Sequence, residues 1–218
     1  MSAVRNAGLR TALLTVPLAA ALLGTAVAPA GAASRPPDKS LTCGGKGVDP
    51  RAQVRHRTET LIHAPLRTVW KLQSEVEHWP SWQAAVTTAE RLDHGPFRQG
   101  SAFRWTTPVP PNPTPATELE ITSTVEQLRR GSCIRWTGPA VGEGLRIDGV
   151  HVWNFVPTGD GVRVRTEETH TGPQVDADVP AATEILRQGL EAWLRDLKTA
   201  AEAPPPHDRR HPARAGLR

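Results

Sequence analysis

One amphipathic helix follows a long run of strand-like segments in this chain, and that order leaves few folds open. Ile185, Leu186, Leu190, Trp193, Leu194 and Leu197 recur three and four residues apart, so a helix gathers them into one apolar stripe. Arg187, Glu191, Arg195, Asp196 and Lys198 take the other faces. Asp178 suits the N-cap, and Pro180 suits the first turn, where its missing N–H has no partner to lose. Upstream, Leu119, Ile121, Ser123 and Val125 alternate with Glu118, Glu120, Thr122 and Thr124. That period of two marks a strand with one buried and one wet face. Composition and alternation place further strands at 51–62, 86–92, 101–107, 133–137, 145–156 (with a bulge at Gly149) and 162–171. Short helical segments are expected at 66–75 and 79–84. Turns fall at Gly95-Pro96, Arg130-Gly131 and Thr158-Gly-Asp-Gly161, and loops at 141–144 and at 108–115, where five prolines forbid a sheet interior. Strands in series closed by one helix argue for an α+β fold on an antiparallel sheet.

The ends need separate treatment. Residues 1–32 read as a secretory signal: Arg5 and Arg10, then an uncharged apolar run over 11–28, then small residues at Ala30-Gly-Ala32. A membrane anchor is the alternative, but the run is short and rich in Ala, Gly and Thr. Residues 203–218 form a Pro- and Arg-rich tail without apolar periodicity, expected to be disordered. Such a tail solubilises, or makes weak contact with anionic cell-surface polymers. Of 26 Lys and Arg and 22 Asp and Glu, residues 1–32 hold two Arg and no acid, and the tail holds four Arg and one Asp. The segment 33–202 therefore carries 20 basic against 21 acidic groups. The basic excess belongs to the ends, which argues against nucleic acid as a partner of the domain. Residues 33–49 read as an N-terminal extension and 50–202 as one domain, a size that buries a single core.

A more specific signal lies in Thr60-Leu-Ile-His-Ala-Pro-Leu-Arg-Thr-Val-Trp70, followed by His78-Trp-Pro-Ser-Trp82. A strand runs into Ala64-Pro65, a short helix follows, and an aromatic, proline-bearing turn leads to new strands. Together with Gly100-Ser-Ala-Phe103, Trp153-Asn-Phe155 and Gly161-Val-Arg-Val-Arg-Thr-Glu-Glu168, this resembles the SRPBCC superfamily, the START-related and polyketide-cyclase-like proteins. The resemblance covers nearly all of 50–202. It implies a helix-grip fold, in which a curved seven-stranded antiparallel sheet wraps a long C-terminal helix, with two short helices after the first strand. It also implies a cavity for an apolar small molecule between sheet and helix. No cofactor is implied.

Strand alternation selects the residues that face such a cavity. His151, Trp153 and Phe155 share one face of their strand. If Val162 and Val164 point inward, so do Glu168 and His170. Counted back from the Asp160-Gly161 turn, His151 falls opposite His170, and Glu168 opposite Trp153. A carboxylate beside imidazoles suits acid–base chemistry on a carbonyl, or simply the fixing of a ligand's polar end. Seven Trp and no Tyr supply large apolar surfaces. Trp82, Trp105, Trp136 and Trp153 are candidates for cavity lining, with Phe103, Ile121, Leu186, Leu190 and the mid-helix Gly189; Trp70 and Trp193 read as core. No metal site is expected, because the one His pair spaced four apart, His207 and His211, lies in the tail. No nucleophile motif or phosphate loop occurs.

Cys43 and Cys133 are the two cysteines. An even number in an exported chain suggests a disulfide, here tying the N-terminal extension to the sheet. Three functions fit these features. One is an exported binding protein for a lipid, polyketide or isoprenoid. The second is a polyketide cyclase or aromatase using the inward His and Glu groups. The third is a structural or surface-interaction protein with a collapsed cavity. Export weighs against the second, since such cyclases work beside cytoplasmic synthases.

Overall fold

The computed structural model describes residues 39–108 and 118–204. Residues 1–38, where the signal is expected, most of the proline-rich loop and nearly all of the tail lie outside the described residues. Strand β1 (Val54–Ile62) leads through Ala64-Pro65 into helix α1 (Leu66–Ser74) and a 3-10 turn (Val76–Ser81). Strands β2 (Thr88–Arg91), β3 (Ala102–Pro108), β4 (Glu118–Arg129), β5 (Cys133–Gly142), β6 (Leu145–Thr158) and β7 (Gly161–Thr171) follow. A short helix α2 (Pro173–Ala177) precedes the long α3 (Val179–Glu202). All seven strands form one antiparallel sheet in the order β1-β7-β6-β5-β4-β3-β2. This is the helix-grip α+β architecture.

Pairing fixes which side chains share a face. On β1, alternate residues from Val54 to Ile62 pair with His170, Glu168, Thr166, Val164 and Val162 of β7. These, with His151, Trp153 and Phe155 of β6, Ile134 and Trp136 of β5, Ile121, Ser123 and Val125 of β4, and Phe103 and Trp105 of β3, form the concave face. Helix α3 lays Leu186, Leu190, Trp193, Leu194, Leu197 and Ala201 against it. Asp178 caps α3 by accepting from the Ala181 amide at 3.1 Å, with Pro180 in the first turn. Ile185 does not join the buried stripe: it is 48% exposed. Residues 185 and 189 fall on a helix flank turned away from the sheet, so the stripe is narrower than the apolar count suggests.

Two local expectations need correction. Strand β5 continues to Gly142, so 141 and 142 pair in the sheet, and only Glu143-Gly144 turns. Gly138 permits this: a Cβ there would sit 2.2 Å from the Thr122 carbonyl oxygen, so only glycine lets β4 and β5 approach. Gly149 is not a bulge, since it pairs in register with Gly138 and His170. Its missing side chain leaves room for the Glu168 carboxylate, which would lie 3.4 Å from a Cβ. The sheet's irregularity lies instead between Val125 and Gln127 of β4.

The convex face is also covered. Residues from Lys39 to Asp49 form a strap over β7, β6 and β5. Leu41, Cys43 and Val48 bury against Val152 and the half-buried Val150. The Cys43–Cys133 disulfide closes the strap onto β5. Glu167, on the convex side of β7, is 1% exposed. It accepts from the Leu41 amide at 2.6 Å and from the Ser40 hydroxyl at 3.2 Å, and it pairs with Arg55. A carboxylate this buried needs such donors to offset its desolvation.

Candidate ligand-binding site

Trp79, carried by the 3-10 turn, fills the centre of the concave face. Its ring lies 5.0 Å from Trp193, 5.4 Å from Phe103, 5.9 Å from Trp105 and 6.0 Å from Trp136. Most of these contacts are edge-to-face, the arrangement favoured by the ring quadrupole. Trp82 and Trp153 also pack against Trp193, at 6.3 and 6.2 Å. The cluster thus contains Trp82, Phe103, Trp105, Trp136 and Trp153 of the expected lining, and adds Trp79 and Trp193. Alternation cannot place Trp79, which sits in an irregular turn, and Trp193 looks like any other core position of the helix stripe. Ile121 pairs with Trp105 across β3 and β4 and is 8% exposed. Phe155 lies deeper, edge-on to Trp70 of α1 at 5.3 Å, in the core beneath the helix.

The polar trio lies next to this cluster. His151 pairs across the strands with Glu168, and Gly149 with His170. The register is therefore two residues from the one counted back from the turn, because Gly159 and Asp160 alone form the loop between Thr158 and Gly161. An even shift leaves every side chain on its expected face. His151 Nδ1 lies 3.3 Å from Glu168 Oε2, and His170 Nε2 lies 3.3 Å from Glu168 Oε1. His151 Nε2 is 2.6 Å from the Thr166 hydroxyl. With the carboxylate facing Nδ1, the neutral ring carries its proton there, and Nε2 accepts from Thr166. The His151 ring packs 4.8 Å from Trp153 and 5.2 Å from Trp136.

His56 of β1 lies opposite Glu168 and approaches Glu191 of α3 at 4.0 Å. Glu191 is bridged by Arg187 at 2.7 Å. These groups make a polar seam between two apolar clusters, the aromatic one and a second containing Leu186, Leu190, Val54 and Val175. Leu186 and Leu190 therefore belong to the second cluster, apart from the tryptophans. Gly189 is exposed, and no atom lies within 4 Å of a Cβ placed there.

Burial pushes the His151 imidazole down to about 4, against the attraction of Glu168 and with the help of His170. Burial raises the Glu168 carboxyl, but His151 and His170 outweigh it and hold the group below its ordinary range. The signs give a stability profile. The unfolded chain protonates His151 near 6.5, whereas the folded chain resists until about 4. Stability is then fully present above the unfolded value and falls as the pH drops through that window, by about 3 kcal/mol. Glu168 adds to the loss below the ordinary carboxylate range. Denaturant midpoints between pH 7 and pH 4 should fall for the wild type and less for His151→Gln; parallel profiles would show that His151 is not the source.

A separate depression of about 280 Å³ lies on the convex side, beside the strap, with Asp49, Thr137, Asp148, Thr169 and Thr171 among its lining. It contains none of the aromatic or trio residues. Its open rim, with two carboxylates, does not suit an apolar molecule. Among the described residues, no group of three or more His, Cys, Asp or Glu is placed to hold a metal ion. No described helix is long and apolar enough to cross a membrane.

A family model described as polyketide cyclase, dehydrase and lipid transport matches residues 53–202. Among solved structures, protein CV1439 from Chromobacterium violaceum is similar at a TM-score of 0.55 and 17% identity, over 69% of this chain and 99% of that one. A START superfamily protein from Mycobacterium smegmatis gives 0.54 and 13%, over 68% and 97%. The di-domain ARO/CYC StfQ from the steffimycin biosynthetic pathway gives 0.55 and 21%, over 68% of this chain and 50% of that one. A comparison with curated proteins gives no match. At these identities the structural likenesses carry the fold, and the family rests on the match across most of the chain. The chain belongs to the polyketide cyclase, dehydrase and lipid-transport family, within the SRPBCC superfamily.

Proposed function

We propose that this protein binds an apolar small molecule of the lipid, polyketide or isoprenoid class between its tryptophan-rich concave face and α3. In this reading the trio fixes the ligand's polar end, and binding takes place outside the cytoplasm. Family and fold suggest either hydrophobic-ligand binding or polyketide-cyclase-like activity. The observation that carries the binding reading is His151, set against Trp136 and Trp153 with both ring nitrogens engaged. A general base needs a free lone pair within reach of the substrate. Here Thr166 and Glu168 occupy both ring positions, an arrangement that holds a polar group still. The oxidised Cys43–Cys133 pair supports export, with residues 1–32 removed, 33–49 as an N-terminal extension that contains the strap, 50–202 as the binding domain and 203–218 as a tail.

Native mass spectrometry of protein purified from its own source, with extraction of bound material, tests the reading. A bound lipophilic molecule is expected. An empty protein that also fails to bind an apolar fluorescent probe rejects it. Glu168→Gln should keep the fold and change the extracted ligand's affinity by roughly threefold to tenfold, the scale of one charge-assisted hydrogen bond partly retained. Unchanged affinity would remove the trio from the site.

A further inference from the structure

The polar atoms around the Trp193 indole point to the chemistry of the ligand, on the reading that the concave face binds one. Gln73 of α1 is fully buried, and its Oε1 accepts from Trp193 Nε1 at 3.1 Å. That contact fixes the amide's orientation, because the flipped amide would set two donors against each other. Gln73 Nε2 is then left without a hydrogen-bond partner among the described residues. Trp153 Nε1 is also unpartnered, on a fully buried side chain. So is Trp82 Nε1. Both of these indoles lie against the same Trp193 ring. Three buried N–H donors thus have no acceptor of their own, two on indoles packed against the Trp193 ring and one on the amide that holds its Nε1. An unmet buried donor costs about 1–3 kcal/mol, so three in one cluster are a standing penalty. Acceptors relieve it, and donors do not.

We infer that the tryptophan cluster is selective for a hydrogen-bond acceptor, and that the ligand's apolar body carries a carbonyl: a ketone, ester or quinone oxygen. A plain hydrocarbon leaves the three donors unmet, and an ammonium group adds a fourth. Recognition is then divided between two walls. The donors take the carbonyl, while the trio, with its ionised Glu168, takes a hydroxyl or other donor on the same molecule.

The test compares 2-acetonaphthone with 2-isopropenylnaphthalene, which has the same shape with a methylene group in place of the oxygen, by titration calorimetry on the full chain. The ketone should bind roughly tenfold tighter, as one to two buried hydrogen bonds allow. The double variant Trp82→Phe/Trp153→Phe keeps two aromatic rings and removes two donors. It should lose most of that preference, the ratio of the ketone's affinity to the hydrocarbon's falling towards one. If the variant does not fold, the carbonyl stretch of wild-type-bound ketone decides instead: it should move below its position in cyclohexane. Equal affinity for the two probes, or an unmoved stretch, overturns the acceptor rule but leaves apolar binding standing. Binding of neither probe overturns both.

Discussion

Trp79→Ala should destabilise the fold by about 4 kcal/mol, the scale of a large aromatic removed from a well-packed core. The ring is fully buried, with Phe103, Trp105, Trp136 and Trp193 packed around it. Such a cluster cannot collapse easily, because its other members are fixed by β3, β5 and the long helix. The space left behind should bind an apolar fluorescent probe more tightly than the wild type does, well below the melting temperature. Chemical denaturation and probe titration check the two halves. A melting curve like the wild type's would mean that the ring is not packed as described. Lost stability with no gain in probe binding would mean that the cluster closes over the gap, which favours a protein without a cavity.

Removing the disulfide should have an effect of similar size. Cys43 and Cys133 are 90 residues apart, and cross-linking a loop of that length stabilises by roughly 4 kcal/mol in the chain-entropy model. The Cys43→Ser/Cys133→Ser variant should melt about 10 °C lower. Its strap amides, Leu41 above all, should exchange hydrogen faster than the strands beneath. Equal melting with and without reductant would show that the strap holds by its other contacts. Those contacts are substantial: Glu167 binds the Leu41 amide, the Arg135 guanidinium donates to the Gly47 carbonyl at 2.8 Å, and Asn154 donates to the Thr42 carbonyl at 3.0 Å.

Much of this architecture is legible in the residues because the signals are periodic. The alternation in β4 and, apart from Ile185, the stripe of α3 are local patterns that tertiary packing only confirms. The inward face of β7 follows from Val162 and Val164, and the cysteine pairing follows from there being two cysteines in a chain read as exported. What stays hidden depends on contacts distant in sequence. Glu167 and Glu168 are neighbours, and strand alternation alone makes one of them outward and wet. Glu167 is instead the more buried of the two, because a strap 126 residues away in sequence supplies donors to it. Trp79 is hidden for the opposite reason: a proline-bearing 3-10 turn has no face to count from. Gln73 reads as a polar residue near a helix end, and only the packed Trp193 indole shows why it is buried.

The strand order has a consequence for how the chain folds. Strands β2 to β7 pair with their sequence neighbours, so that meander is built from short-range contacts. β1 pairs only with β7, the last strand made, more than 100 residues later. The sheet therefore cannot be completed until almost the whole domain has been synthesised. Until then β7 offers an unpaired edge, Val-Arg-Val-Arg, whose arginines discourage pairing with other chains. Contacts this distant slow folding, because loop closure must precede the stabilising contacts. On the export reading proposed above, a late-closing first strand is an advantage: the N-terminal segment can be threaded out while its partner is still inside.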